Sequence, residues 1–296
     1  MNKKVKVIIT ILMISITFTP IIFYGYQKYE IKKYKTLNLE NDKNNAYVHF
    51  SIDDCINIFY DLDKNQDKYK SIFENKLLKY LKHLNSEYGC KFSLYVFENN
   101  DSFDISNCTS KYKEEFEQNS SWLKFGFHAL NSKSDYSNDN IQIVEDYNLV
   151  IENLKRIVGE KSITNIFRLE KFLLNEKNAK ILKDGIKDFS LLGADTENRE
   201  DYYLNEEQNT KLFKNEYYYD EDNKIEIYNT DFRLENISSK NINKMLFEMN
   251  DKNLIIFTHE WIFDSFKNSI TTKYKIEKIC KYAMEHGYSF DYPYKN

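Results

Sequence analysis

Five strand-like apolar runs, each ending in a polar residue suited to chemistry, constrain this chain more than any other feature. The first is YVHFSIDD at residues 47–54, which closes on Asp53 and Asp54. The others are KFGFH at 124–128, NIFR at 165–168, SLLGAD at 190–195 and LIIFTH at 254–259. Helix-like segments separate most of them, and strand–helix alternation favours a parallel α/β architecture. In a (β/α) barrel the C-terminal ends of the strands converge on one face, where active sites sit. The expectation is therefore a distorted, seven-stranded (β/α) barrel over residues 46–296. Three acids, two histidines and an arginine would share its mouth, the outline of a hydrolytic site. An open doubly wound sheet is disfavoured, because no glycine-rich nucleotide loop is present.

The intervening helices follow from apolar spacing. Residues 69–88 place Ile72, Leu77, Leu78, Leu81 and Leu84 on one face, and Gly89 follows at the expected C-cap position. Further helices are expected over 111–118, 140–158, 175–186, 241–249 and 273–286. KFSLYVF at 91–97 reads as a second strand, 216–227 as a hairpin turning at 220–223, and 288–292 as a last strand.

The first 45 residues read differently. Lys3, Lys4 and Lys6 precede an uncharged stretch over residues 7–27. About 20 residues at 1.5 Å each span about 30 Å, the hydrocarbon thickness of a bilayer. No small-residue cleavage site follows, so residues 1–27 are expected to be an uncleaved transmembrane anchor. Residues 28–45 are charged and polar and read as a stalk, with the domain on the extracytoplasmic side at a bacterial cell surface. Lysines load both flanks comparably, so their count does not set the orientation.

Removing residues 1–35 leaves 35 basic against 45 acidic side chains, a formal −10. Such a domain repels a phosphate backbone, which argues against nucleic acid as a partner. The four cysteines, Cys55, Cys90, Cys108 and Cys280, show no C-x-x-C spacing, which excludes a zinc knuckle. A Cys90–Cys108 disulfide and buried free thiols both remain open, and no histidine can be assigned to activate Cys55.

Each strand-terminal residue also has a bland reading. Asp53–Asp54 could cap a helix, His128 and His259 could be core histidines, Arg168 could neutralise a buried carboxylate, and Asp195 could be a loop acid. Five independent strand ends would then have to coincide. On an extended chain adjacent residues point to opposite sides, so one acid could ligate a metal while the other faces the attacking water.

The ordered set resembles the polysaccharide deacetylases with a NodB-type homology domain. Their Thr/Ser-Phe-Asp-Asp-Gly motif is similar to Ser51-Ile52-Asp53-Asp54-Cys55. A strand-terminal His matches His128, an Arg-containing motif matches Arg168, an Asp matches Asp195, and a Leu-x-His ending is similar to Phe257-Thr258-His259. The resemblance covers about residues 46–292. It implies a metal-dependent hydrolase, usually with zinc, that removes N- or O-acyl groups from a cell-surface polysaccharide or other glycan. It also implies roles: Asp53 as general base, Asp54 and His128 as metal ligands, His259 as general acid, Arg168 orienting Asp53, and Asp195 tuning His259.

One departure matters. The family carries a second histidine four residues after the first, and position 132 here is serine. Glu170, two residues after Arg168, is the expected replacement on the same strand face, since carboxylates ligate zinc. His259 and Glu260 are the alternatives. A membrane-anchored, non-catalytic carbohydrate-binding protein on a degenerate barrel is the competing functional class, and a metal-free glycosidase leaves the two histidines unexplained.

The uncharged run generates a direct expectation. The full-length chain should stay with membranes after alkaline carbonate washing, at unreduced mass, and protease added to intact cells should remove the domain. Release into the supernatant would contradict the anchor, and survival under protease would reverse the orientation.

Overall fold

The computed structural model describes residues 46–138, 142–196, 199, 201–248 and 252–294. The expected anchor and stalk, 1–27 and 28–45, lie outside them. Among the described residues no helix is long and apolar enough to cross a membrane.

Ten strands alternate with eight helices among those residues. The strands are β1 (Tyr47–Cys55), β2 (Phe92–Phe97), β3 (Leu123–Ala129), β4 (Ile166–Phe167), β5 (Ser190–Leu192), β6 (Tyr217–Asp220), β7 (Ile225–Tyr228), β8 (Phe232–Arg233), β9 (Leu254–His259) and β10 (Ser289–Phe290). The helices are α1 (Asn57–Lys64), α2 (Lys76–Tyr88), α3 (Lys113–Gln118), α4 (Gln142–Val158), α5 (Glu176–Gly185), α6 (Glu206–Asn215), α7 (Ile242–Glu248) and α8 (Phe266–Glu285). One sheet runs β3-β2-β1-β9-β8, with β10 against the start of β1, and the other runs β4-β5-β7-β6. Every pairing is parallel except the β6–β7 hairpin.

The fold is thus mixed α/β on parallel sheets, but the ladders do not close into one barrel among the described residues. Two seams join the sheets instead. At the first, the Thr164 amide donates to the Phe125 carbonyl at 2.9 Å, alongside a single Phe125–Ile163 bridge. A Cβ on Gly126 would come within 2.8 Å of the Tyr95 ring and 2.9 Å of Thr164, so only glycine lets the seam close this tightly. At the second, residues 229–231 carry the chain from β7, paired with β5, to β8, paired with β9. The Asp231 and Ile255 backbones meet there, and the Ile255 amide donates to Asp231 Oδ2 at 2.7 Å. Strands of two and three residues at β4 and β5 are too short to carry a continuous ladder, which is why the expected regular barrel is not realised.

Alternation along the strands builds two cores. Val48, Phe50, Ile52, Leu254 and Ile256 face the helices within the main cluster. Tyr47, Tyr95 and Ile255 from one sheet meet Leu192 and Tyr228 from the other in a smaller cluster between them.

Two local features differ from expectation. Helix α1 follows β1 directly, and its N-cap residue Ile56 has no side chain able to cap. The buried Glu260 carboxylate does that work from a distance, accepting from the amides of Ile56, Asn57 and Ile58 at 2.7 Å each. This fixes Glu260 under α1 and removes it from the candidate ligands. Of the cysteines, Cys90 lies 3.5 Å from Cys280, while the Cys108 thiol meets the Phe59 carbonyl, so a Cys90–Cys108 disulfide is not formed.

Replacing Glu260 by alanine strands two buried amides and one part-buried one, so Glu260→Ala should destabilise the domain by about 2–4 kcal/mol in urea unfolding. A change within about 0.5 kcal/mol, the range of ordinary surface substitutions, would show that the cap is dispensable.

Candidate metal centre and catalytic mouth

Backbone irregularity, more than strand regularity, aims the side chains of the mouth. Between the Ile52–Leu94 and Cys55–Val96 pairs, β1 advances by three residues while β2 advances by two. The extra residue falls in the Asp53–Asp54 step, and Asp54 takes φ 59°. This bulge overturns the expectation of opposed acids, since both Asp53 and Asp54 line one cavity. A second bulge lies between Val96–Phe127 and Phe97–Ala129, and its extra residue is His128. Strand β4 ends at Phe167, so Glu170 is not on a regular strand. It opens a 3-10 turn, Glu170–Phe172, in which Lys171 and Phe172 take φ 53° and 60°.

The cavity has a volume of about 500 Å³. In its wall one ligand atom each from Asp54, His128 and Glu170 lies within 4.8 Å of the other two. His128 Nε2 is 3.2 Å from Asp54 Oδ1 and 3.3 Å from Glu170 Oε2. The other ring nitrogen, Nδ1, meets the Arg168 carbonyl. A carbonyl oxygen only accepts, so Nδ1 carries the proton and Nε2 is left for the carboxylates or a cation. Burial works against a charged His128, but hydrogen bonds to Asp54 and Glu170 outweigh it and lift its pKa to about 10. The two carboxylates that favour a proton at Nε2 favour a divalent cation there for the same reason. For Asp54, burial opposes ionisation, yet His128, His259 and the Trp261 indole together hold its pKa below the usual range. The Trp261 Nε1 donates to Asp54 Oδ2 at 3.1 Å and orients it. Two oxygens and one imidazole nitrogen, with cavity on the open side, fit a catalytic divalent-ion site.

Beneath these groups Arg168 is fully buried. Its Nε lies 3.4 Å from Asp53 Oδ2, while its Nη atoms donate to the Gly193 carbonyl and Thr230 Oγ1 at 3.0 Å each. The guanidinium also sits 4.5 Å from the Phe257 ring centroid. Burial pushes the Asp53 carboxyl above its ordinary pKa, against the opposing pull of Arg168. Asp53 Oδ1 is buried with no hydrogen-bond partner, an acceptor left open.

His259 lines the cavity from the end of β9, beside Asp53 in the β1–β9 register. Its partner is not the one expected. Glu235 Oε1 lies 3.0 Å from His259 Nδ1 and also accepts from the His259 amide at 2.9 Å and Thr258 Oγ1 at 2.8 Å. Burial alone would raise the Glu235 pKa, but His259 and Thr258 hold it below the usual range. Asp195 is instead engaged by Arg199 and Asn236, each at 3.3 Å. The expected tuning of His259 by Asp195 is therefore replaced by Glu235. The short run DFRLE at 231–235 ends in this acid, but only Phe232 and Leu234 in it are apolar, so its strand-terminal signal was weak. The Cys55 thiol is buried, and burial drives its pKa well above normal, which rules against a nucleophile.

No family model and no curated protein matches the chain. Its fold is similar to a crystal structure from Mycobacterium smegmatis assigned as a polysaccharide deacetylase. The TM-score is 0.49 and the identity 11%, covering 81% of this chain and 85% of that one. At that distance the site has to stand on its own geometry. Fold and mouth together define an α/β domain on parallel sheets that carries a candidate Asp–His–Glu metal-binding group.

Glu170→Gln should weaken affinity for a divalent ion at least about 10-fold, or about 1.4 kcal/mol, by titration calorimetry with zinc. His259→Ala should leave that affinity unchanged. The reverse pattern, a silent Glu170→Gln and a metal-free His259→Ala, would make His259 the third ligand.

Proposed function

We propose that this domain is a metal-dependent hydrolase of the polysaccharide deacetylase type, acting on N- or O-acyl groups of a cell-surface carbohydrate. The observation that carries the reading is the convergence of three parts in one cavity. These are the Asp54–His128–Glu170 group, Asp53 backed by a buried arginine, and His259 backed by Glu235.

Each part has a task. A divalent ion held by Asp54, His128 and Glu170, zinc by the family resemblance, would polarise the acyl carbonyl and make water more acidic. Asp53, its Oδ2 beside Arg168 and its Oδ1 open, is placed to take the proton of the attacking water. Its raised pKa makes it a stronger base than a surface carboxylate. His259, whose Nδ1 faces Glu235, would carry a proton on Nε2 and deliver it to the departing amine or alkoxide. Arg168 touches Asp53 and acts through it, as a positioning residue. The uncharged run of residues 7–27 supports a membrane anchor, and a cell-surface carbohydrate as substrate requires the domain to lie outside the cytoplasm.

Acetate release from N-acetylglucosamine oligomers tests the reading. Asp53→Asn should abolish turnover while leaving metal content intact, whereas Asp54→Asn should lose both. Glu235→Gln should lower kcat by roughly 10²-fold with bound metal unchanged, within the range for general acid–base catalysis. Acetate release that survives Asp53→Asn would overturn the assignment, and a wild-type domain that holds no divalent ion would favour a carbohydrate-binding role.

A further inference from the structure

Beside the mouth the domain leaves a row of large apolar side chains in solvent. Trp261 is 46% exposed, Phe266 84%, Ile270 54% and Tyr274 47%. Phe266, Ile270 and Tyr274 recur every fourth residue along α8 and so share one face. Trp261 sits in the 3-10 turn Glu260–Asp264, which directly precedes α8 in the chain and contacts it. The opposite side of the helix already serves the core through Ile276, Ile279, Cys280 and Ala283. Helix α8 is therefore apolar on a second face that nothing in the described domain covers.

The charged side chains along α8 beside this stripe are mainly basic, with acids only at its two ends, Asp264 and Glu277. Residues 36–296 carry a formal −10, yet no carboxylate occurs between Asp264 and Glu277. Lys267 is exposed beside the stripe, and Lys273, Lys278 and Lys281 are part-exposed along the same helix. Lys278 Nζ lies 5.7 Å from the Tyr274 ring centroid. Aromatic and aliphatic side chains flanked by lysines match the two layers of a bilayer surface, acyl chains below and anionic headgroups above. A second copy of this chain fits less well, because a two-fold pairing through the stripe would set lysines against lysines.

We propose that the Trp261–Phe266–Ile270–Tyr274 face docks peripherally on a bilayer containing anionic lipid. The chain's uncharged run at 7–27 is long enough to hold the domain at such a surface. Residues 28–45 reach at most about 60 Å even when fully extended. Docking also orients the mouth, since Trp261 contacts the candidate metal ligand Asp54 directly. The cavity then opens at the headgroup layer, and its glycan would be one held at the membrane surface. That consequence rests on the hydrolase reading, whereas the docking does not.

The full-length chain, reconstituted in nanodiscs of phosphatidylcholine and phosphatidylglycerol with brominated acyl chains, provides the test. Brominated chains quench indoles that enter the bilayer. The chain has two tryptophans, and Trp122 is only 7% exposed, which makes it the internal unquenched reference. Trp261 emission should be quenched, and less so when phosphatidylglycerol is omitted. The double change Phe266→Ser and Ile270→Ser should lower the docked-to-undocked ratio at least about 10-fold. Near-ultraviolet circular dichroism and zinc affinity, unchanged in that variant, would show that the fold and the metal group persist. Unquenched Trp261, or quenching indifferent to the double change, overturns docking. Protection of α8 from hydrogen exchange without quenching would assign the face to another part of the chain or a second copy, which also overturns it. Loss of acetate release with quenching intact would remove only the hydrolase reading.

Discussion

A single buried cation holds the mouth together. Arg168 has no solvent exposure, and an unpaired charge in that position would cost many kcal/mol. Its partners come from both sheets: Asp53 from β1, the Gly193 carbonyl just after β5, Thr230 in the β7–β8 link and the Phe257 ring on β9. The arginine thus substitutes for the hydrogen bonds that short strands cannot supply across the seam. It also fixes where Asp53 lies and opposes the burial that disfavours its charge. Even its backbone takes part, because the Arg168 carbonyl sets the His128 tautomer. Removing its charge would leave the Asp53 carboxylate buried without its counter-ion, the costly half of such a pair.

Around that anchor, the candidate ligand set is placed by strained or irregular backbone. Asp54 and His128 each sit at a bulge, and Glu170 precedes two residues at positive φ. Left-handed conformations in residues other than glycine cost of order 1–3 kcal/mol each and persist where packing over-determines them. Three of them, Asp54, Lys171 and Phe172, lie on the cavity wall. Regular strands would have alternated the neighbouring acids to opposite faces, so the bulge is what places Asp53 and Asp54 in one cavity. The same logic accounts for Glu170, which reaches His128 from a turn while Arg168 points inward from the residue just after β4.

Much of this was legible because strand termini announce themselves. Apolar runs ending in Asp53, Asp54, His128, Arg168 and His259 gave their positions, and Gly89 marked the end of α2 at φ 80°. Tertiary events were not legible. Asp195 ends an apolar run as clearly as His259 does, yet which acid meets the histidine depends on how residues 229–236 cross between the sheets. Glu260 was one residue from the mouth in sequence but serves an uncapped helix, a need visible only once α1 follows β1 without a capping side chain. Closure of the barrel failed for a similar reason. Pattern shows that strands exist, whereas their hydrogen-bonded length decides whether they join, and β4 and β5 are too short.

The proposed function requires Asp54, His128 and Glu170 to form one divalent-ion site above the Arg168–Asp53 pair. Anomalous diffraction at the zinc edge from crystals of the full chain grown with zinc tests it most directly. One peak is expected in the cavity, bound by His128 Nε2 and one oxygen each from Asp54 and Glu170 at about 2.0–2.2 Å. A peak coordinated by His259 with Glu170 turned away, or no peak in the cavity at all, would contradict it.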